Sequence, residues 1–349
     1  MKSDLRIAIH KNDNIFSHST LWTSPWIEYC KNNHLNYGVI DCYQPNIIAE
    51  LKKYDCLVWH FSNYVLQDML FARSILNVAK SMGLKVFPDF YTTWHFDDKI
   101  AETYLLKSIH APVPNAWIFY LENECINWLK TEADYPFIAK LRCGSGANNV
   151  HLISNYSQAK RYVKRMFSRG YTPHPSLLFK TKSNIKSAGN WTTMKNRAKR
   201  IPEFLQTLSR AKMFPREHGY VYFQEYIPND GYDLKIVVIG DKLSFIARNV
   251  RKGDFRASGG GDLFFDKSLV SRDILKSAFE TSDKLGFQCM GYDYVVDKHT
   301  GQGKIIEISY GFSHTALLQA GGYWDRDYVW HDEPLNAPKE VLSNMIKNS

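Results

Sequence analysis

Four short apolar segments in the N-terminal part alternate with segments that have the pattern of helices. The apolar segments lie at residues 5–9, 37–40, 56–59 and 84–87. Between them, Ser24 is predicted to be a helix N-cap followed by Pro25 in the first turn, and an amphipathic run over residues 65–82 ends at Gly83. Strands that alternate with helices pair in parallel, so this pattern predicts a small doubly wound α/β domain. Ligands of such domains bind beyond the carboxyl ends of the strands.

The rest of the chain predicts a different mixture of elements. A helix over residues 97–110 is followed by Pro112 and Pro114, which cannot continue it. We therefore expect two domains, covering residues 1–96 and 97–349. Strands of the second are predicted at 136–140, 150–153, 220–227, 234–239, 243–247, 290–296 and 304–308, with a helix over 269–285. The first two of these strands flank a glycine-containing turn and form a hairpin. The predicted class is α/β (α+β).

Composition narrows the class of protein. The 349 residues are 44% hydrophobic and 23% charged, which excludes a disordered or fibrous chain. No apolar run is long enough to span a bilayer, and the first ten residues lack the order of a secretory signal. Six cysteines occur singly, without metal-site spacing, and are predicted to be reduced thiols. We expect a soluble, cytoplasmic protein without membrane insertion.

The positive charge is concentrated in one segment. Residues 160–216 contain fifteen Lys and Arg but a single Glu, so the net charge of this segment is +14. The net charge of the whole chain is +9, so all other residues together carry about −5. Such a field attracts acidic ligands, although a solvated insertion would have the same composition. Its basic residues are interleaved with few aromatic side chains, which argues against nucleic acid as a partner.

Lys140 ends an apolar strand and precedes a loop of small residues. Gly144, Ser145 and Gly146 in this loop would let backbone N–H groups approach phosphate oxygens. The loop is not a Walker sequence, and a simple turn would explain it equally well.

Two carboxylates lie within apolar strands. Asp293 and Glu307 are fourteen residues apart on strands predicted to be neighbours. Buried carboxylates are costly unless a cation neutralises them, and an all-oxygen pair suits Mg²⁺. The alternative is that one of them is paired with an arginine.

The run at residues 248–261 contains arginines and three consecutive glycines after a predicted strand. Arg248 and Arg256 in this run would suit a transferring phosphoryl group, whose negative charge is spread over its oxygens.

The order of these parts resembles the ATP-grasp superfamily, most closely the branch of the ribosomal-protein glutamate ligase. The residues that carry the resemblance are Asp98-Lys99, Pro136 to Lys140 with the glycine loop, Gln224 to Ile227, Asp233-Leu234-Lys235, Gly253 to Arg256, Gly291-Tyr292-Asp293 and Glu307-Ile308-Ser309. They cover about residues 97–312. The resemblance implies an N-terminal pre-ATP-grasp domain followed by a two-lobed ATP-grasp domain.

The resemblance also implies roles for individual residues. Lys99 and Lys140 would contact ATP phosphates, with Gly144, Ser145 and Gly146 over them. The hinge Gln224, Glu225, Tyr226 and Ile227 would hold adenine, and Asp233 would lie near the ribose. Arg248 and Arg256 would neutralise the γ-phosphate and an acyl phosphate. Asp293, Glu307 and Ser309 would hold Mg²⁺ or Mn²⁺, although the family usually has Asn at the position of Ser309.

Two parts depart from the glutamate ligases. They are the basic insertion at about 160–218 and an extension from about 313, which resembles ATP-grasp proteins of surface-polysaccharide clusters. The resemblance implies an ATP-dependent carboxylate–amine ligase that acts through an acyl phosphate, on a uronic acid or another acidic acceptor. The carboxylate would be a small molecule or sugar-linked, and a homo-oligomer is left open.

Three other functions remain open at this point. They are phosphoryl transfer to a hydroxyl on the same fold, a non-catalytic nucleotide-binding module, and nucleic-acid binding through the basic segment.

Overall fold

The computed structural model describes residues 5–11, 22–144, 149–173, 215–250 and 262–347, and within these the strands form three sheets. The first sheet is parallel, in the order β2-β1-β3-β4, as the alternating pattern predicts. Its strands are β1 (Arg6–His10), β2 (Asn36–Ile40), β3 (Cys56–Val58) and β4 (Lys85–Phe87). Its helices are α1 (Thr23–Asn32), α2 (Ile47–Leu51), α3 (Leu66–Ser81) and α4 (Phe90–Thr93).

The start of α1 differs from the prediction. Ser24 is not the N-cap, because the helix begins at Thr23 and Trp22 takes the cap position. Pro25 is still accommodated, since N–H groups of a first helical turn have no partner within the helix. The Thr23 hydroxyl donates to the carbonyl of His10 at 3.1 Å and ties the start of the helix to the end of β1.

The second sheet is antiparallel, in the order β5-β8-β6-β7. Its strands are β5 (Ala116–Phe119), β6 (Phe137–Lys140), β7 (His151–Ile153) and β8 (Val221–Glu225), and the accompanying helices are α5 (Lys99–Ser108), α6 (Glu122–Thr131) and α7 (Tyr156–Met166). The predicted hairpin of β6 and β7 is confirmed, with Ile138 opposite Leu152. The core of the second sheet includes three aromatic rings that pack against one another, those of Trp128, Phe137 and Phe223.

The third sheet has the order β13-β12-β9-β10-β14-β15, with β11 paired to β10. Its strands are β9 (Tyr232–Ile239), β10 (Lys242–Asn249), β11 (Leu263–Phe264), β12 (Cys289–Val296), β13 (Gly303–Ser309), β14 (Tyr323–Trp324) and β15 (Trp330–His331). The helices are α8 (Arg272–Leu285), α9 (His314–Leu318) and α10 (Ala337–Lys347). Helix α8 begins three residues later than predicted, because Lys267–Leu269 forms a separate 3₁₀ turn and Ser271 caps α8.

The first and third sheets share one hydrophobic core, whereas the second sheet has its own. The C-terminal helix α10 joins the shared core and packs on α1, where the Trp26 indole N–H donates to the Pro338 carbonyl at 3.0 Å. A domain boundary between residues 96 and 97 stays a prediction, since apolar packing continues across it.

Two further observations concern the described residues. None of their helices is long and apolar enough to cross a membrane. All six cysteine side chains are free thiols, five of them buried.

We predict that Trp26→Phe lowers the melting temperature by a few degrees. Trp26 is fully buried, so the change removes a hydrogen bond and leaves a small void, together about 1–3 kcal/mol. Calorimetry measures the shift. Tyr120→Phe is the control, because its hydroxyl bonds Tyr104 at an exposed site and its loss is expected to change stability by less than about 0.5 kcal/mol. Equal melting temperatures for Trp26→Phe and the wild-type chain would contradict the role of α10 in the core.

Candidate active site

The second sheet approaches the third where β6 comes within hydrogen-bond distance of Ile306 on β13, and residues 226–231 connect β8 to β9. Lys140, the last residue of β6, points into this junction and is buried. Its Nζ donates to Gln224 Oε1 at 2.7 Å and to the Ile306 carbonyl at 3.4 Å. Burial lowers the pKa of Lys140 to about 8, an effect that Glu307 partly offsets. Lys140 is therefore held by neutral oxygens in a position where an anion would be strongly favoured.

A second buried lysine approaches from the start of α5. Lys99 Nζ lies 3.1 Å from Glu307 Oε1 on β13 and donates to the Gly144 carbonyl at 2.7 Å. Burial by itself would lower the pKa of Lys99, but the neighbouring carboxylates, above all Glu307, raise it beyond its usual range. Lys99 therefore remains charged and links the helix, the loop after β6 and the third sheet.

Hydrogen bonds and ion pairs hold the first residues of the loop after β6. The Gly144 N–H donates to Asp97 at 3.0 Å, and the Lys99 N–H donates to the Arg142 carbonyl at 2.8 Å. Arg142 forms ion pairs with Asp98 at 3.0 Å and with Glu217 at 2.9 Å. Gly144 has φ of +105°, a conformation that an L side chain would strain. The start of the glycine loop is thus fixed to the N-terminus of α5.

Glu307 and Asp293 are directly opposite each other on the paired strands β13 and β12. The predicted juxtaposition of the two carboxylates is therefore present. Each carboxylate has a cation beside it: Glu307 has Lys99, and Asp293 contacts Lys235 and, at 3.2 Å, Arg248. Burial would raise the pKa of Asp293, but Lys235 and Arg248 outweigh it and hold the pKa below its usual range.

Arg248 bridges two carboxylates. Its Nε donates to Asp233 at 2.9 Å, and its Nη2 contacts both Asp233 and Asp293. Cross-strand pairing aligns these groups, since Asp233 is opposite Arg248 and Lys235 is opposite Asp293. Asp233 is fully buried beneath Arg248. The sequence left open that one of the buried carboxylates is paired with an arginine, and this is the case for Asp293 and also for Asp233. A contact between Asp233 and a ribose stays a prediction.

Ser309 follows Glu307 at the end of β13. Its hydroxyl accepts from the Gly311 N–H at 3.1 Å, which places it at the turn after the strand. The cross-strand partner of Ser309 is Gly291, where a Cβ atom would lie 2.9 Å from the Ser309 carbonyl oxygen. Glycine at position 291 therefore allows the close strand approach that brings Asp293 beside Glu307.

The oxygen atoms of Asp293, Glu307 and Ser309 fit a hard divalent cation such as Mg²⁺ only if phosphate oxygens or water complete its coordination. Within the part of the chain that the structure describes, no three His, Cys, Asp or Glu side chains converge as a self-sufficient metal site. Asp293 and Glu307 supply carboxylate oxygens, and Ser309 supplies a neutral one. Mg²⁺ is commonly held by one or two carboxylates together with substrate phosphates and water, so these residues fit such an ion.

Glu102 is a member of the site that sequence reasoning missed. It is buried on α5, near Lys99, and accepts from the Ile308 N–H at 3.3 Å. Burial, with Glu307 adding to it, raises the pKa of Glu102 well above its usual range. The signal was available: Lys99 and Glu102 are one helical turn apart, on the face that also buries Thr103 and Leu106.

The other predicted residues divide into two groups. Ser145, Gly146 and Arg256 lie outside the described residues. Of the predicted hinge, Gln224 holds Lys140, and Glu225 accepts from the Asn115 N–H at 2.9 Å. Strand β8 ends at Glu225 instead of continuing to residue 227, so Tyr226 and Ile227 begin the connection between the sheets.

No protein-family model matches the chain, and no curated protein matches it in sequence. Solved structures do match over nearly its full length. D-alanine–D-alanine ligase from Bacillus anthracis matches with a TM-score of 0.56 and 11% identity, over 98% of this chain and 96% of that one. The same ligase also matches in a complex with ATP.

Two further structures carry the name of the fold. A RimK domain ATP-grasp protein from Sphaerobacter thermophilus matches with a TM-score of 0.54 and 14% identity, over 98% of this chain and 99% of that one. The ATP-grasp ligase PsnB, in a complex with a minimal precursor, Mg and ADP, matches with a TM-score of 0.56 and 10% identity, over 99% and 98%. These matches do not separate the branches, so the resemblance to the glutamate ligases in particular stays a prediction.

We predict that Arg248→Met is strongly destabilising, because it leaves the buried Asp233 without its bidentate partner. Breaking a buried ion pair in this way costs about 3–5 kcal/mol. The double variant Arg248→Met, Asp233→Asn removes both charges and is expected to recover much of the melting temperature measured by calorimetry.

Arg326→Met is the matched control, since Arg326 pairs with Asp241 and Asp283 at the surface, where ion pairs contribute about 0–1 kcal/mol. If Arg248→Met melts no lower than Arg326→Met, the ion pair does not stabilise the sheet as described.

Proposed function

The chain has the ATP-grasp fold, and we propose that it is an ATP- and Mg²⁺-dependent carboxylate–amine ligase that forms an amide through an acyl phosphate. The observation that carries this proposal is the convergence of four buried or partly buried cations and two opposed carboxylates at the junction of the second and third sheets. The cations are Lys99, Lys140, Lys235 and Arg248, and the carboxylates are Asp293 and Glu307.

Two buried lysines beside the second sheet support a polyphosphate ligand. Lys99 and Lys140 come from different elements, and their nearest partners include the neutral oxygens of Gly144, Gln224 and Ile306. A phosphate oxygen offers each lysine a better acceptor than these groups do, because it carries negative charge. The connection after Glu225 follows Gln224, the partner of Lys140, and would hold adenine. Support for ATP as the nucleotide comes from structural neighbours that were solved with ATP or with Mg and ADP.

Asp293 and Glu307, with Ser309, would hold Mg²⁺, and Mn²⁺ would suit the same oxygen ligands. The bound ion would supply charge neutralisation for phosphoryl transfer. Once the ion neutralises these carboxylates, the cations that now pair with them could bind phosphate oxygens instead. These cations are Lys99, Lys235 and Arg248. Arg256, outside the described residues, is proposed to act with Arg248 on the γ-phosphate.

The proposed reaction has two steps. A carboxylate oxygen of the substrate attacks the γ-phosphorus of ATP, the bond to the β-phosphate oxygen breaks, and ADP leaves. An amine then attacks the carbonyl carbon of the acyl phosphate, inorganic phosphate leaves, and the nitrogen loses a proton. The chain would contribute position and charge: its cations would orient the γ-phosphate toward the carboxylate, and the loop after β6 would limit access of water.

For the acceptor we propose a uronic acid or a similar acidic group of a polysaccharide precursor. Support comes from the basic segment at residues 160–216, whose field would raise the local concentration of an acidic substrate. The described part of this segment includes Lys160, Lys164 and Arg165 on α7. The cytoplasm, where ATP and nucleotide-linked sugars are made, is the proposed location.

We predict that Glu307→Gln reduces ATP turnover at least about 100-fold, because the neutral amide binds a divalent cation far more weakly. The melting temperature is expected to change little, since Lys99 keeps its bond to Gly144 and the charge of Asp97 nearby. Phosphate release and calorimetry measure the two quantities.

Glu280→Gln on the exposed face of α8 is the control for Glu307→Gln, and both its turnover and its stability should be those of the wild type. Retained turnover in Glu307→Gln would reject the metal-binding role.

A substrate panel tests the reaction itself. Phosphate release from Mg-ATP is measured with carboxylates that include UDP-linked uronic acids, each with and without a mixture of amino acids and simple amines. Release that requires both a carboxylate and an amine is the expected result. Formation of ADP without an amine and without free phosphate, with the phosphoryl group found on a substrate hydroxyl, would indicate a phosphotransferase. ATP binding that Lys140→Ala weakens, with no release under any condition, would indicate a non-catalytic nucleotide-binding module.

A further inference from the structure

The turn that leads from α4 into α5 contains a residue in the left-handed backbone conformation. Asp97 has φ of +61°, a value that residues other than glycine adopt infrequently. Asp and Asn tolerate it better than other residues do, because their short side chains can form local hydrogen bonds. Such conformations persist only where the surrounding structure holds them. The conformation of Asp97 therefore indicates that its side chain has a fixed role.

One oxygen of Asp97 joins two parts of the molecule. Oδ1 accepts from the side-chain amide of Asn63 at 3.1 Å and from the Gly144 N–H at 3.0 Å. Asn63 lies in the connection between β3 and α3, at the carboxyl end of the first sheet, and Gly144 lies in the glycine loop after β6. A single carboxylate oxygen thus links the first sheet to the start of a loop that belongs to the second sheet.

The backbone on both sides of Asp97 is held in place. Arg73 on α3 donates from Nε to the Thr93 carbonyl at 2.9 Å and from Nη2 to the Phe96 carbonyl at 2.5 Å. On the other side, the Asp98 side chain caps the N-terminus of α5. Asp97 Oδ1 therefore has a defined position relative to α3 and α5.

Gly144 is held through both of its polar backbone groups. Its N–H donates to Asp97, and its carbonyl accepts from Lys99 Nζ at 2.7 Å. Gly144 has φ of +105°, so its conformation is one that a glycine with fixed partners can keep. The start of the loop is thus fixed beside Lys99, one of the two lysines proposed to bind phosphate.

The negative charge of Asp97 does not explain why a carboxylate lies here. Burial raises the pKa of Asp97, Lys99 opposes this effect, and Glu307 adds to it. A further negative group near a phosphate site would also oppose binding of the phosphate. What Asp97 supplies is an acceptor oxygen on a residue that tolerates the left-handed conformation.

We propose that Asp97 is the positioning residue of the glycine loop, which holds Gly144 in the conformation that binds a nucleotide phosphate. This inference rests on the proposed function, because it requires that the loop after β6 contacts phosphate. A loop that is ordered before the ligand arrives loses less conformational freedom on binding, so nucleotide affinity is expected to depend on Asp97. Asp97 acts through Gly144 and does not itself contact the nucleotide.

Two substitutions separate the oxygen of Asp97 from its charge and from its backbone conformation. Asp97→Gly removes both hydrogen bonds, while glycine adopts the same φ freely. Asp97→Asn removes the charge but keeps an acceptor oxygen and tolerates the same φ. His110→Gly is the matched control, because His110 is exposed at the other end of α5 and has φ of +57°.

Isothermal titration with Mg²⁺ and the non-hydrolysable ATP analogue AMPPNP measures the dissociation constant of each variant. Asp97→Gly is expected to raise it at least about tenfold, because the loop must then be ordered during binding. Asp97→Asn is expected to stay within about threefold of the wild type, since both hydrogen bonds are kept. His110→Gly should bind the analogue as the wild type does.

Hydrogen exchange of the Gly144 N–H, followed by NMR, tests the same contact without a nucleotide. Exchange is expected to be at least about tenfold faster in Asp97→Gly than in the wild type, and close to the wild type in Asp97→Asn. Melting temperatures establish that the variants are folded. If Asp97→Gly does not fold, Asn63→Ala replaces it, since this variant removes only the bond to the first sheet and is expected to raise the dissociation constant about threefold.

Unchanged affinity in folded Asp97→Gly, or in Asn63→Ala where it is the replacement, would overturn the positioning role while leaving the proposed function intact. Equal losses of affinity in Asp97→Gly and Asp97→Asn would overturn it as well, because the charge of Asp97 would then matter instead of its oxygen. A wild-type chain that binds no nucleotide although its Gly144 N–H is protected would reject the proposed function and, with it, the role of Asp97 in nucleotide affinity.

Discussion

The rest of this structure depends on one constraint: carboxylates buried in an apolar sheet must have cations in contact with them. The strands of the third sheet bury Asp233 and Asp293 among hydrophobic side chains, which would be costly without cations in contact with them. Arg248 and Lys235 supply those cations from positions opposite the carboxylates on neighbouring strands. The register of β9 with β10 and β12 is therefore fixed by ion pairs as well as by apolar packing, because a shift of one residue would separate each charge from its partner.

The same compensation connects the second and third sheets. Glu307 on β13 meets Lys99 on α5, and Lys140 on β6 meets the backbone of β13 at Ile306. These contacts are polar, but α5 also places Leu106 in the core of the first and third sheets and Ile100 in the core of the second sheet. The polar contacts leave the buried lysines with partners that phosphate oxygens can replace, which relates the packing of the two sheets to the proposed chemistry.

The first sheet has a different relation to the third. They share a continuous hydrophobic core, which α10 completes by packing against α1. The N-terminal unit is thus anchored by apolar burial, and it supports the sheet that carries Asp293 and Glu307.

The sequence by itself determined the local elements and the types of residue in the site. Alternating apolar and amphipathic segments predicted the parallel first sheet, and carboxylates inside apolar runs identified Asp293 and Glu307, because such patterns reflect backbone geometry and the cost of burying charge. Only the tertiary structure decided which cation meets which carboxylate. Arg248 was predicted for its charge, but its contacts with Asp233 and Asp293 depend on strand register. The spacing of Glu102 from Lys99 places both on one face of α5, but only the packing of β13 against that face shows that Glu102 is buried there. The surroundings of α3 were likewise undetermined, since the amphipathic run at residues 65–82 predicts one buried side, whereas the elements that cover that side are set by how distant parts of the chain pack.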